Sequence, residues 1–326
     1  MKTILSSAPF QISRVKSGYS DILVCIFKKA SFLSYLLTDA YQLDFFLKES
    51  IKPYLGPSLN KIAFISENEM LDADLDFFFI QYVPAKDEFE MTGNCGNALI
   101  GGSIAEICLN QKPLDQTYKI KNLNSNKYTK IRVKDLREEQ VTAEIIFENP
   151  EGSLTNTLLP TGKSIQTIQV NGKSIDISIV DAANPYVYVN RKQLSLTERQ
   201  FFSQTLEIST EMRQIRKEAQ SLIGIHADSV FPKFAIISAS SHHNQISARM
   251  VTVPHWHKSF ALTGMVNLVV SSQINGTITR KNIQFTRGNH LKILCADRNI
   301  YTTTFYKDDH FKVSIVQNVN LKGVLA

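Results

Sequence analysis

Short runs of apolar or alternating residues dominate this chain, separated by Gly, Pro, Asn and Asp turns, and helical spacing interrupts them at a few places. The alternation predicts strands over residues 10–15 and 22–27 around a Ser17-Gly18 turn. Residues 30–52 take helical spacing, with Leu33, Leu36, Leu43, Phe46 and Leu47 on the apolar side, until Gly56-Pro57-Ser58 breaks the pattern. Strands are expected over residues 61–65 and 74–81, then over 117–120, 128–133 and 141–147. Asn149-Pro150-Glu151-Gly152 and Pro160-Thr161-Gly162-Lys163 are strong breakers. Beyond them come expected strands at 165–170, 175–180, 186–189, 234–238 and 249–253, around Phe285, and at 291–294 and 301–306. The longest helical pattern covers 196–223, opened by Ser195 or Thr197 as N-cap and closed near Gly224.

Two turn-to-helix units stand apart from this pattern. Gly93-Asn94-Cys95-Gly96-Asn97 is a tight turn opening a helix through Ala98, Leu99, Ile100, Ile104 and Ile107, with Asn94 as the expected N-cap. A cysteine at such an entrance meets unpaired N–H groups and the positive end of the helix dipole, which favour a thiolate and a bound carboxylate. A free cysteine is more often a small buried residue. The flanking Gly-Asn pairs, poor choices for a helix interior, tip the balance towards function. In the second unit His257-Lys258-Ser259-Phe260-Ala261-Leu262-Thr263-Gly264 leads into an apolar helix over 265–270 that Asn275-Gly276 stops. The order of elements therefore repeats. The expected fold is α+β, with two pseudo-symmetric, β-rich halves each holding strands around one short helix. The halves are expected at residues 1–163 and 164–326, the C-terminal strand crossing back to the first, with a cleft between the two helix N-termini.

Composition narrows the chemistry. A net charge of +6 over 326 residues is modest, and Lys28-Lys29, Lys119 with Lys121, Lys127 with Lys130 and Arg280-Lys281 make no single basic run. Without an aromatic-interleaved basic motif they read as solvated surface rather than a nucleic-acid site, although the excess would attract an acidic metabolite. Cys25, Cys95, Cys108 and Cys295 lie far apart, which argues against zinc and against a disulfide scaffold and fits a reducing compartment. His255 and His257 alternate but lack a third ligand, so no metal is expected. The opening Met1-Lys2-Thr3-Ile4-Leu5-Ser6-Ser7 lacks the apolar core of a signal peptide, and no apolar run approaches membrane-spanning length. A cytoplasmic protein free of membrane is expected; its oligomeric state stays open between monomer and homo-oligomer.

An ordered set of motifs resembles the PrpF-like family, which includes 2-methylaconitate cis-trans isomerase, methylitaconate delta-isomerase and 4-oxalomesaconate tautomerase and has the diaminopimelate epimerase-like fold. The residues are Asp74-Leu75-Asp76-Phe77 with Gln81, Asn94-Cys95-Gly96-Asn97, Leu159-Pro160-Thr161-Gly162, Val180-Asp181-Ala182-Ala183-Asn184-Pro185, Pro232-Lys233, His257 with Thr263-Gly264, and Gly276-Thr277. The resemblance implies that each half is a barrel-like sheet wrapped around its central helix, and that the protein carries out cofactor-independent proton transfer on a small unsaturated di- or tricarboxylate. It places a catalytic lysine on Lys61 and a catalytic cysteine on Cys95. It also gives Ser20, Asn94, Gly96, Asn97, His257, Thr263 and Gly264 to the substrate's carboxylates.

The chemistry is coherent from the residues upward. Taking a proton from carbon beside a carboxylate builds an enolate, which helix N–H groups can stabilise while one group removes the proton and another returns it. A base must first be neutral, and partial burial beside an apolar strand favours a neutral amine. By itself, a lysine at a strand start is more often a surface charge, and His257 is equally well a substrate-orienting group or a hydrogen-bonded structural one. The chain departs from the family at Arg14-Val15-Lys16-Ser17-Gly18-Tyr19-Ser20, at Leu55-Gly56-Pro57-Ser58-Leu59-Asn60 and at Phe285-Thr286-Arg287-Gly288, where Arg287 offers a replacement carboxylate contact. Two other readings compete: an epimerase or racemase of the same fold, which pairs two opposed cysteines, and an inactive acid-binding protein.

Overall fold

The computed structural model describes residues 9–251, 255–286 and 288–321. Cα packing divides the chain into two compact units, residues 1–146 with 316–326 and residues 147–315. In the first unit, β1 (Phe10–Ser17) and β2 (Ser20–Phe27) form a hairpin that brings Ser17 opposite Ser20. Gly18 at its tip has φ +57, a conformation glycine adopts without a Cβ penalty. The helical pattern that follows is broken into α1 (Ala30–Thr38), α2 (Ala40–Phe46), a π turn at Leu47–Ile51 and a 3-10 turn at Lys52–Tyr54. Asp39 makes the break, since its carboxylate accepts the Tyr41 and Gln42 N–H groups and so starts a new helix. β3 (Lys61–Glu67) runs parallel to β2, and β4 (Leu75–Val83) antiparallel to β3 with the short β5 (Glu88–Glu90) on its flank. α3 (Gly96–Leu109), β6 (Thr117–Asn122), β7 (Lys127–Arg137) and β8 (Gln140–Glu148) follow.

β2 reads as a continuous apolar run because both of its faces are covered. Leu23, Cys25 and Phe27 join Leu33, Leu36, Phe46 and Phe64 in one cluster beneath α1 and α2. Ile22, Val24 and Ile26 alternate to the face occupied by α3, which is buried from Gly96 to Ile107. On the rim of this unit, Asp72 accepts hydrogen bonds from Lys121 Nζ at 2.7 Å and from Tyr128 Oη at 2.6 Å. Those two bonds, the lysine's first, hold its carboxyl down at about 2. A carboxyl depressed on folding contributes stability that is present above its unfolded value of about 3.9 and lost as pH falls through the folded one. Asp72→Asn is therefore expected to flatten the acid limb of the stability profile between about pH 4 and pH 2. Denaturant midpoints measured across that window check this; an unchanged acid limb contradicts it.

The second unit holds β9 (Gln166–Val170), β10 (Lys173–Ala182), β11 (Asn184–Asn190), α4 (Glu198–Phe201), α5 (Thr210–Leu222), β12 (Lys233–Ala239), β13 (Gln245–Val251), α6 (Leu262–Ser272), α7 (Ile278–Lys281), β14 (His290–Cys295) and β15 (Ile300–Lys307), with the first residues of β16 (Phe311–Asn320). The single long helix expected over 196–223 is two. Thr197 and Gln200 close a capping box around α4, and Ser209 starts α5 afresh by accepting the Met212 N–H. Phe285 lies outside any strand, packing against the Phe305 ring and beneath Arg280 instead. Residues 252–253 of the expected 249–253 strand lie outside the described residues.

The strands run β1-β2-β3-β4-β6-β7-β8-β16 in the first unit, and the end of β16 returns to β1 through Lys16↔Asn320 and Ser17↔Val319, so that this eight-stranded sheet closes. In the second unit the order is β16-β15-β14-β13-β12-β11-β10-β9, with α6 buried along its length. Each unit is thus a β-rich, barrel-like sheet around one central helix, the expected α+β class. No helix among the described residues is long and apolar enough to cross a membrane.

Candidate active site

The entrance of α3 differs by one residue from the sequence expectation. Cys95, at φ −134 and ψ 106, is the N-cap, and no side chain caps the helix. The Gly96, Asn97 and Ala98 N–H groups thus have no acceptor within the helix and no capping side chain. Asn94 instead accepts a hydrogen bond from Asn122 Nδ2 at 2.8 Å, while Asn122 Oδ1 accepts the Asn124 N–H. Asn124 in turn pairs with both backbone groups of Phe79 and donates to Met91 O. This chain of asparagine amides pins the turn before Cys95 to β4 and β6. Cys95 and Cys108 are half-buried, whereas Cys25 and Cys295 are buried. Burial pushes the thiols of Cys25, Cys108 and Cys295 up, disfavouring their thiolates.

Lys61 opens β3, level with Ile22 of β2 and opposite Gln81 of β4. Gln81 Nε2 donates to Asn60 O at 2.7 Å and the Tyr82 N–H to the same oxygen at 2.9 Å, fixing the residue before the lysine. Lys61 Nζ donates to Ser20 Oγ at 2.6 Å, and Asn97 Nδ2 donates to the same oxygen at 3.3 Å. Ser20 and Asn97 are buried, and Lys61 makes no ion pair among the described residues. The structure therefore brings Lys61, Ser20 and Asn97 into one hydrogen-bonded group at the entrance of the helix that carries Cys95.

The second unit has an entrance of the same kind. Ala261 is the N-cap of α6, again without a side-chain cap. Thr263 Oγ1 accepts from Asn184 Nδ2 at 3.1 Å, and the buried Asn267 donates to Val180 O and Asn184 O while accepting from Tyr188 Oη. A Cβ on Gly264 would lie 2.7 Å from Tyr186 Oη and 2.8 Å from Phe260 Cε1, so close ring packing explains this glycine. Gly264→Ala is expected to destabilise the fold by about 1–3 kcal/mol through overpacking. Calorimetry would show it as a lowered midpoint; a wild-type midpoint would contradict it. His257 Nδ1 accepts the Ser259 N–H at 3.2 Å, a local turn bond. His255 and His257 belong to no group of three metal-ligating side chains among the described residues. Arg287 lies outside the described residues.

Sequence reasoning gave no local role to the Val180–Pro185 motif, and the structure supplies one. The fully buried Asp181 accepts from Ser153 Oγ (2.5 Å), Leu154 N (2.8 Å), Thr155 N (2.6 Å) and Thr155 Oγ1 (2.9 Å), latching the following loop's partner segment to β10. Asn184, three residues on, orients Thr263. The signal available in the sequence was the Asp181-Ala182-Ala183-Asn184-Pro185 interruption of an apolar run, where Ala183 takes a positive φ. A cavity of about 830 Å³ between Asn289, Tyr306 and Lys312 in the second unit is lined by none of the candidate residues.

Comparison with known proteins decides the family. The family model described as PrpF protein matches residues 55–297, well over half of the chain. The chain belongs to the PrpF family. YraM of Bacillus subtilis (strain 168) is 28% identical over 262 residues, covering 68% of this chain and 71% of its own. The 3-methylitaconate isomerase of Eubacterium barkeri is 24% identical over 276 residues, covering 71% and 72%. The crystal structure of a methylitaconate-delta-isomerase superposes with a TM-score of 0.69 over 96% of each chain at 19% identity, a likeness of fold. This PrpF-family protein thus has the diaminopimelate epimerase-like fold, and its relatives carry isomerase names. The matched region includes Lys61, Cys95, Asn184 and Thr263 but starts beyond Ser20.

Proposed function

We propose that this protein is a cofactor-independent isomerase that moves a proton, by allylic double-bond shift or cis-trans isomerisation, on a small unsaturated di- or tricarboxylate of the aconitate or methylaconitate type. The observation that carries the reading is the Lys61–Ser20–Asn97 group at the uncapped entrance of α3, which bears Cys95. The names of the relatives, 3-methylitaconate isomerase and, at 20% identity over 245 residues, the 4-oxalomesaconate tautomerase of Pseudomonas putida, supply the substrate class.

In this reading the Lys61 amine takes the proton from carbon next to a carboxylate, and the electron pair of that C–H bond delocalises as a dienolate. The N–H groups of Gly96 and Asn97, with the Asn94 side chain, hold the carboxylate where negative charge develops. The Cys95 thiol then gives its proton to the far carbon of the allylic system, leaving thiolate and ammonium to exchange back to the starting state. Thr263, Gly264 and His257 are proposed as further carboxylate-binding groups. An epimerase using two thiols is less well supported: Cys295 is buried with its thiol pushed up, and the α6 entrance offers Thr263 in place of a cysteine. The test is a panel of cis- and trans-aconitate, 2-methylaconitate, 3-methylitaconate and 4-oxalomesaconate followed by proton NMR for isomer formation, beside Cys95→Ala. Conversion of at least one acid that the variant does not perform supports the proposal. Saturable binding of these acids without conversion would favour an acid-binding protein.

A further inference from the structure

We infer that Ser20 is a positioning residue for Lys61: it fixes where the lysine amine sits and ties that position to the helix carrying Cys95. The inference rests on the proposed proton-transfer reading, but not on any particular substrate. A serine oxygen has two lone pairs and one proton. Here Asn97 Nδ2 at 3.3 Å and Lys61 Nζ at 2.6 Å both donate to it, so both acceptor positions are filled and only the hydroxyl proton is left to give. The amine keeps its lone pair clear of the serine, as a base aimed at a C–H bond requires. Asn97, the second residue of α3 and buried, is itself fixed by the helix.

The lysine's surroundings show why such a tether is needed. A lysine side chain has four rotatable carbons and gains order only from what holds its head. Other lysines of this unit are held by carboxylates, as Lys52 is by Asp87 and Lys121 by Asp72. A carboxylate at Lys61 would stabilise the ammonium and spoil the base. A neutral hydroxyl orders the amine without that penalty. Ser20 can serve because β2 and β3 pair in parallel with Ile22 level with Lys61, and Ser20, two residues earlier on the same face of β2, lies within reach of the lysine head. Its backbone is set by the hairpin that puts Ser20 opposite Ser17.

The test uses Ser20→Ala, Ser20→Thr, Lys61→Ala and the Ser20→Ala/Lys61→Ala double variant of the full chain. One readout needs no substrate: the rate at which Lys61 is labelled by trinitrobenzenesulfonate, read by peptide mass spectrometry. Labelling several-fold faster in Ser20→Ala, and near the wild-type rate in Ser20→Thr, is expected. Turnover is measured with 3-methylitaconate as the probe. Expected is a fall in kcat of about 100-fold in Ser20→Ala with KM changed by less than about threefold, and no further loss when the same change is made in Lys61→Ala. Unchanged Lys61 labelling in a folded Ser20→Ala overturns the inference whether or not the probe turns over. So does a loss confined to KM, or a loss that adds to that of Lys61→Ala. A wild-type protein that leaves the probe untouched but shows the labelling change counts against the probe as substrate and for the positioning role.

Discussion

Under the proposed proton transfer, Lys61→Ala is expected to lower the isomerisation rate by about a thousandfold, the middle of the range for a lost general base, while the thermal midpoint is expected to stay within a few degrees of wild type. Both halves of this expectation come from the same place in the structure. Lys61 is the first residue of β3, half-exposed, held by a single serine hydroxyl and engaged in no ion pair among the described residues. Truncating it removes little packing, and surface substitutions of that kind change stability by about 0.5 kcal/mol or less. The Asn60 carbonyl that starts the strand keeps its bonds from Gln81 and Tyr82. A loss of activity with a retained fold then belongs to chemistry. The comparison to make is kcat/KM beside the calorimetric midpoint. A variant retaining more than about a tenth of wild-type activity would remove Lys61 from the mechanism.

Asp181→Ala has the opposite profile, a large effect on stability through a residue outside the proposed chemistry. Its carboxylate is fully buried and accepts four hydrogen bonds from Ser153, Leu154 and Thr155. Alanine would remove the one acceptor that these four donors share in a part-exposed segment, a loss of about 1–3 kcal/mol. The same change disturbs β10 next to Asn184, so Thr263 is expected to lose its orientation as well. Urea unfolding is readily followed here, because the chain has one tryptophan, Trp256, and it lies in the second unit. Asp176→Ala, on the exposed part of the same strand, serves as the control and should cost about 0.5 kcal/mol or less. A shift at Asp181 no greater than at Asp176 would show that the latch contributes nothing.

The strands were legible because alternation and two-sided apolar runs are local signals, and the 22–27 and 61–65 runs became β2 and β3. The long helical stretches were read too generously. Asp39 and Ser209 each restart a helix by capping, and periodicity outside the caps continued smoothly across both breaks. At the site, the Gly-Asn-Cys-Gly-Asn turn announced a helix entrance, but the cap fell on Cys95 because Asn94 is held by Asn122, 28 residues away. The Ser20–Lys61 bond joins residues 41 apart, and Asn184–Thr263 joins residues 79 apart. Both depend on strand register and helix placement, which no local pattern encodes. Gly264 was assigned to the substrate's carboxylates, and the structure gives it a packing reason in the rings of Tyr186 and Phe260.

The measurement closest to the central claim is proton NMR of 3-methylitaconate with the protein in deuterium oxide, for the wild type, Lys61→Ala and Cys95→Ser. Proton transfer through Lys61 and Cys95 predicts deuterium entering the allylic carbons as the double bond migrates, with both exchange and migration lost in the two variants. Exchange or isomerisation that persists undiminished in either variant would contradict the account.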